Sequence, residues 1–190
     1  ALGVSLKDKT ALVNHFEVKG TTTQAVNETW KPVLGEQAQI VNHYNELIVA
    51  LVQKDSKVKL NLVFRAFDEG VAFRYDFPKQ ENLNYFIISD EKTEFNLTEN
   101  NKVFWIPGDF DSNEYVYNET KFSEIDNEKL NLNNGIGVKS IPGKYTVQTP
   151  LQMKSPSGLY LNIFEAAVVN YPVMHLDANV QKYTLKANLV

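Results

Sequence analysis

The chain has 190 residues, 43% hydrophobic and 12% aromatic, with 19 Lys and Arg against 23 Asp and Glu for a formal net charge of -4. That length buries a sizeable core, while the scattered cations offer no basic face to a phosphate backbone, which argues against a nucleic-acid partner. Cysteine is absent, which removes disulfide frameworks, thiolate zinc sites and cysteine nucleophiles together.

At the start, ALGVSLKDKT lacks the basic-then-apolar pattern of a signal peptide, and no apolar run approaches the roughly 20 residues that cross a bilayer. From there the apolar runs alternate with period two and are rich in Val, Ile, Phe, Tyr and Thr, the pattern of half-buried strands. Residues 38–53 form the first long run. Next, KVKLNLVFRAFDEGVAFRYDF predicts a hairpin, with Val58, Leu60, Leu62, Phe64 and Ala66 on one face, answered by Val71, Phe73, Tyr75 and Phe77. Pairing Phe64 with Phe73 and Leu62 with Tyr75 leaves Asp68 and Glu69 as the loop, with Gly70 placed for positive φ. Further strands are expected at 83–88, 102–106, 144–153, 159–169 and 180–187, and residues 118–140, polar and weakly periodic, read as a surface excursion. The fold class is all-β, suited to a large sandwich. No strand–helix alternation supports a parallel nucleotide-binding sheet.

IPGDFDSNEYVY places Asp109, Asp111 and Asn113 at the spacing of the first three ligands of a calcium loop, then fails: Glu114 stands where Gly is needed and Thr120 where a bidentate Glu should close the shell. A turn held by Pro107, Gly108 and Asx hydrogen bonds is the plainer reading. GIGVKS at 135–140 lacks the Gly-Lys-Ser order of a phosphate loop. His15, His43 and His175 are far apart and read as surface or core-edge residues. No G-x-S-x-G elbow is present, and paired glycosidase carboxylates cannot be recognised by spacing because they meet only in space. Trp30, Trp105 and the nine tyrosines suit either sugar stacking or a β core.

LYLNIFEAAVVNYPVM, residues 159–174, sets one carboxylate, Glu165, in a nearly continuous apolar run. Strand alternation puts Glu165 on a face with Leu161, Ile163, Ala167 and Val169. An inward carboxylate must be paired, metal-bound or protonated. Residue types leave two readings open: a solvated position or a pair with Arg65 or Arg74, and a metal ligand.

Seven blocks, TWKPVLGE, NHYNEL, LVFRAFDEGVAFRYDFP, DEKTEF, WIPGDFDSNEY, QTPLQMK and LYLNIFEAAVVNYP, together resemble the N-terminal domain of glycoside hydrolase family 97, bacterial α-glucosidases and α-galactosidases. The resemblance implies a β-supersandwich of the galactose-mutarotase type over residues 1–190, a C-terminus short of its last strands, and a catalytic (β/α)8 barrel outside this sequence as its partner domain. It further implies a periplasmic or otherwise exported, exo-acting enzyme on α-linked oligosaccharides, and a calcium ion held mainly by barrel glutamates plus one from the stretch matching FEAAV, which is Glu165. Family members commonly carry His just before this Glu; here Phe164 stands there. The isolated chain is expected to be inactive. The alternative is a stand-alone carbohydrate-binding or structural β-sandwich without catalysis.

Overall fold

The computed structural model describes residues 1–130 and 140–190. The chain divides into two compact units, residues 1–13 with 88–190 and residues 14–87. In chain order, β1 (Val4–Leu6) belongs to the first unit, and β2 (Phe16–Trp30), β3 (Ile40–Gln53), β4 (Lys59–Ala66) and β5 (Val71–Asp76) make up the second. The chain returns to the first unit through β6 (Ile88–Glu91), β7 (Glu94–Asn96), β8 (Lys102–Trp105), β9 (Asn118–Lys121), β10 (Thr146–Gln148), β11 (Leu151–Lys154), β12 (Tyr160–Ile163), β13 (Met174–Asn179) and β14 (Thr184–Leu189). The only helical elements among the described residues are three 3₁₀ turns of three residues each. The protein is all-β, and the strand pairings are antiparallel. No helix among the described residues is long and apolar enough to cross a membrane.

The unit spanning 14–87 is one sheet in the order β2-β3-β4-β5. Its predicted hairpin has the expected register, Phe64 opposite Phe73 and Leu62 opposite Tyr75. The Phe67 N–H donates to the Gly70 carbonyl at 2.8 Å, leaving Asp68 and Glu69 as the loop. Gly70, however, is not among the residues with positive φ, so the turn closes without the left-handed residue that the glycine suggested. Inside this sheet Glu46 is buried and satisfied: Arg65 Nε donates to it at 2.8 Å and Gln24 Nε2 at 2.7 Å, with the Arg65 guanidinium over the Tyr44 ring. The guanidinium, the leading cause, and the Gln24 amide hold the Glu46 carboxyl below its ordinary value.

The other unit stacks two four-stranded sheets, β10-β13-β14-β7 and β12-β11-β8-β9, beside the small pair β1-β6. Alternate residues of facing strands supply the core: Val103 and Trp105 from β8, Leu151 and Met153 from β11, Leu176 from β13 and Leu185 and Ala187 from β14. This is the sheet-on-sheet geometry that period-two strands produce when each has one apolar face. Phe122 and Ile125 also lie in this core. The stretch 118–140 is therefore not wholly a surface excursion: it opens as β9 and then buries two apolar anchors, while residues 131–139, with most of GIGVKS, lie outside the described residues.

Four predicted strands are redrawn, the run 180–187 beginning only at Thr184 and extending to Leu189 as β14. Residues 83–88 give the end of a 3₁₀ turn and the start of β6. The run 144–153 splits into β10 and β11 at Pro150, which has no N–H for a ladder. The run 159–169 ends at Ile163. The register that sets Leu151 opposite Ile163 would put Phe164 opposite Pro150, which has no N–H to give to the ladder.

Candidate functional site

Glu165 therefore stands just past the end of β12, within the ten residues 164–173 that lead to β13. The expectation that it shares an inward face with Ala167 and Val169 is not met, because both are exposed in a non-strand segment. Glu165 itself is half-buried. Both of its carboxylate oxygens lie 3.1 Å from the Met174 N–H, and Thr149 Oγ1 lies 3.4 Å from Oε2. The neutral N–H donor suits a carboxylate. Arg65 is committed to Glu46 within the other unit.

The segment is tied at a second point. Tyr171 donates from its phenol to Glu91 Oε2 at 2.6 Å, and the buried Glu91 also accepts from Thr93 Oγ1 at 2.5 Å. Between the two ties Asn170 takes φ 55°, a left-handed conformation that Asn tolerates better than most residues. The segment presents apolar side chains outward: Phe164 is 64% exposed and Val169 74%, with Val168 and Val173 about half exposed.

As a metal donor, Glu165 has the right chemistry for a hard cation, an ionisable oxygen pair that, among the described residues, shares the Met174 N–H and has the Thr149 hydroxyl oxygen beside it. It is not sufficient alone. Among the described residues no three His, Asp or Glu converge on a common point, so any site would need further ligands.

The calcium-like spacing in 106–117 resolves into an internal network. Asp109 is 3% exposed; its Oδ1 accepts from the backbone N–H of Asp111 at 2.9 Å and of Ser140 at 3.2 Å, and its Oδ2 from the Tyr115 phenol at 2.5 Å. Asp111 accepts from the Ser140 hydroxyl. The Asx turn is the reading that the structure supports, with the two aspartates turned to protein donors. Burial alone would raise the Asp109 pKa, but the phenol and the backbone donors outweigh it and hold the carboxyl below its usual range. Burial first, and then the Asp109 charge, push the Tyr115 phenol up to about 12.

His175 corrects the expectation of a surface or core-edge residue. It is 2% exposed, stacks on Phe110 at 5.5 Å between ring centroids, and has no partner for Nδ1 among the described residues. Burial lowers its pKa against the opposing charges of Asp109 and Asp177. Gly108 lies against the same ring: a Cβ there would come within 2.6 Å of Thr146 Cγ2 and 3.3 Å of the imidazole. Gln148 caps the block by donating to the Ser112 carbonyl at 2.8 Å. Trp105 is core, its indole N–H bonded to Thr120 at 3.0 Å, and Trp30 is half exposed at the end of β2. The surroundings of the Glu165 carboxylate left no signal in the sequence, since Thr149 and Met174 are 16 and 9 residues away from it.

Three comparisons bear on these features. The family model described as Glycosyl-hydrolase 97 N-terminal matches residues 1–189. A glycoside hydrolase family 97 enzyme from Pseudoalteromonas sp. strain K8, solved in complex with acarbose, is 30% identical over 100% of this chain with a TM-score of 0.81, and a variant of that enzyme solved with panose matches equally. A β-arabinopyranosidase, 18% identical over 98% of this chain with a TM-score of 0.79, shares the fold. The chain spans 26% of the length of the Pseudoalteromonas enzyme and 29% of the arabinopyranosidase.

Proposed function

The chain belongs to the family of N-terminal domains of family 97 glycoside hydrolases, and from that premise we propose that it serves a calcium-dependent, exo-acting α-glucosidase of starch-derived oligosaccharides. In this reading it docks on a catalytic (β/α)8 barrel lying beyond this sequence and presents Glu165 to the active-site cation. The observation that carries the reading is the Glu165 segment itself: a half-buried carboxylate, held by the backbone N–H of Met174, in a stretch tied at both ends whose apolar side chains face outward.

Phe164, Val168, Val169 and Val173 would then be covered by the neighbouring domain, since exposed apolar clusters of this kind mark contact surfaces. Glu165 would supply one hard oxygen ligand and barrel carboxylates the rest. The chemistry such a site would supply is polarisation of the glycosidic oxygen or help in activating water. Acarbose and panose in the Pseudoalteromonas enzyme favour α-glucosides as substrates, while the arabinopyranosidase supports the fold alone. Export to the periplasm goes with such a degradative role.

The test is Glu165→Gln in the full-length protein, which keeps shape and removes charge. Calcium affinity should fall by at least about 10-fold, the lower end of what losing even an outer-shell contact costs, and turnover with it. An unchanged calcium titration would refute the ligand assignment. Residues 1–190 alone should not hydrolyse nitrophenyl α-glucoside; robust hydrolysis by a clean preparation would overturn the division of labour.

A further inference from the structure

We propose that Thr149 is a positioning residue for the Glu165 carboxylate, an inference that rests on the metal-ligand reading of Glu165. Thr149 follows β10 at the break made by Pro150. Its Oγ1 lies 3.0 Å from the Met174 carbonyl oxygen and 3.4 Å from Glu165 Oε2. A hydroxyl carries one proton, and the shorter distance assigns it to the carbonyl.

Met174 is thereby gripped on both sides of its Cα: its carbonyl accepts from Thr149, and its N–H donates to Glu165 at 3.1 Å to each oxygen. The strand ladder cannot do this work for Glu165, because β12 has already ended at Ile163. Met174 opens β13 opposite Leu189, and Thr149 ties that strand end to the residue after β10; without the Met174 N–H the carboxylate would sit on a ten-residue connection with its rotamers free, and binding a cation would cost the entropy of ordering it. With the grip, the acid is oriented before any ligand arrives. One N–H shared by two oxygens also leaves most of the carboxylate's lone pairs available.

The position has no catalytic chemistry of its own in this arrangement. Thr149 acts through Met174 and Glu165, as an outer-shell group acts on a metal ligand. Valine is the fitting probe, since it replaces the hydroxyl by a methyl of similar size.

The experiment is a calcium titration of the full-length protein by calorimetry, paired with hydrogen exchange of the peptide containing Met174, for the parent, Thr149→Val, Thr149→Ser and Glu165→Gln. Thr149→Val should weaken calcium binding by about 10-fold, the range for losing an outer-shell contact, and speed exchange at Met174; Thr149→Ser should restore both. If Thr149→Val does not fold, Thr149→Ala makes the same comparison. Parental calcium affinity in a hydroxyl-less variant, where Glu165→Gln has lost it, overturns the positioning role and leaves the ligand assignment standing. Parental affinity in Glu165→Gln itself overturns the ligand assignment, and the positioning role with it.

Discussion

Tyr115 and Asp109 form a pair whose parts shift in opposite directions: the phenol is pushed up to about 12 and the carboxyl is held low. A raised tyrosine pKa contributes stability that is complete below the unfolded value near 10 and is lost as pH rises from there toward 12. The parent should therefore lose stability in that alkaline window, with one phenol titrating late by ultraviolet absorbance. Tyr115→Phe should abolish that late phenol and cost about 1–3 kcal/mol at neutral pH in denaturant unfolding, because it strips a donor from a buried carboxylate. His175 works at the other end of the scale. Its depressed pKa keeps the neutral form in the fold, so its contribution is whole above the unfolded value near 6.5 and falls away as pH drops through the folded value. Neither residue was legible as buried from composition. Asp109 read as a turn residue, which it is, but the phenol six positions on that satisfies it is a matter of tertiary geometry, and so is the Phe110 ring over His175.

At the scale of elements, the strands that the sequence revealed are those with one wet and one dry face. β3, β4 and β5 alternate and pair in the predicted register, since a slip of one residue would turn every apolar side chain over. β2, Phe16–Trp30, went unnoticed because nearly all of its residues are exposed, so it carries no period-two hydrophobic signal. β13, Met174–Asn179, was missed for the opposite reason: it is nearly continuously buried and its polar members, His175 and Asp177, have partners or neighbours across the sheet. The energetics follow burial. Leu176→Ala in the middle of β13 should cost roughly 2–5 kcal/mol, as for other fully buried leucines, whereas Val33→Ser on the β2–β3 connection, 98% exposed, should stay within about 0.5 kcal/mol. Denaturant midpoints for the two variants test that contrast.

For the molecule as a whole, the telling feature is what remains uncovered. Phe164, Val168, Val169 and Val173 on the Glu165 segment, with Leu159 and Tyr160 just before it, stand out from the surface. Residues 1–190 alone should bind 1-anilinonaphthalene-8-sulfonate, Phe164→Ser with Val169→Asp should reduce that fluorescence, and the full-length protein should show much less of it. Equal fluorescence from the full-length protein would count against a docked neighbour. The sequence by itself determined the all-β class, the central hairpin and the family, because period-two patterning and seven collinear blocks are local properties of the chain. It singled out Glu165, an acid in an apolar run, but placed it on a strand. Only the tertiary structure decided that the ladder stops at Leu151 and Ile163, beside Pro150, and that the Met174 N–H, with Thr149 on the Met174 carbonyl, holds the carboxylate. Those contacts join residues far apart in the chain, and their geometry is set by how two sheets stack, which no local period records.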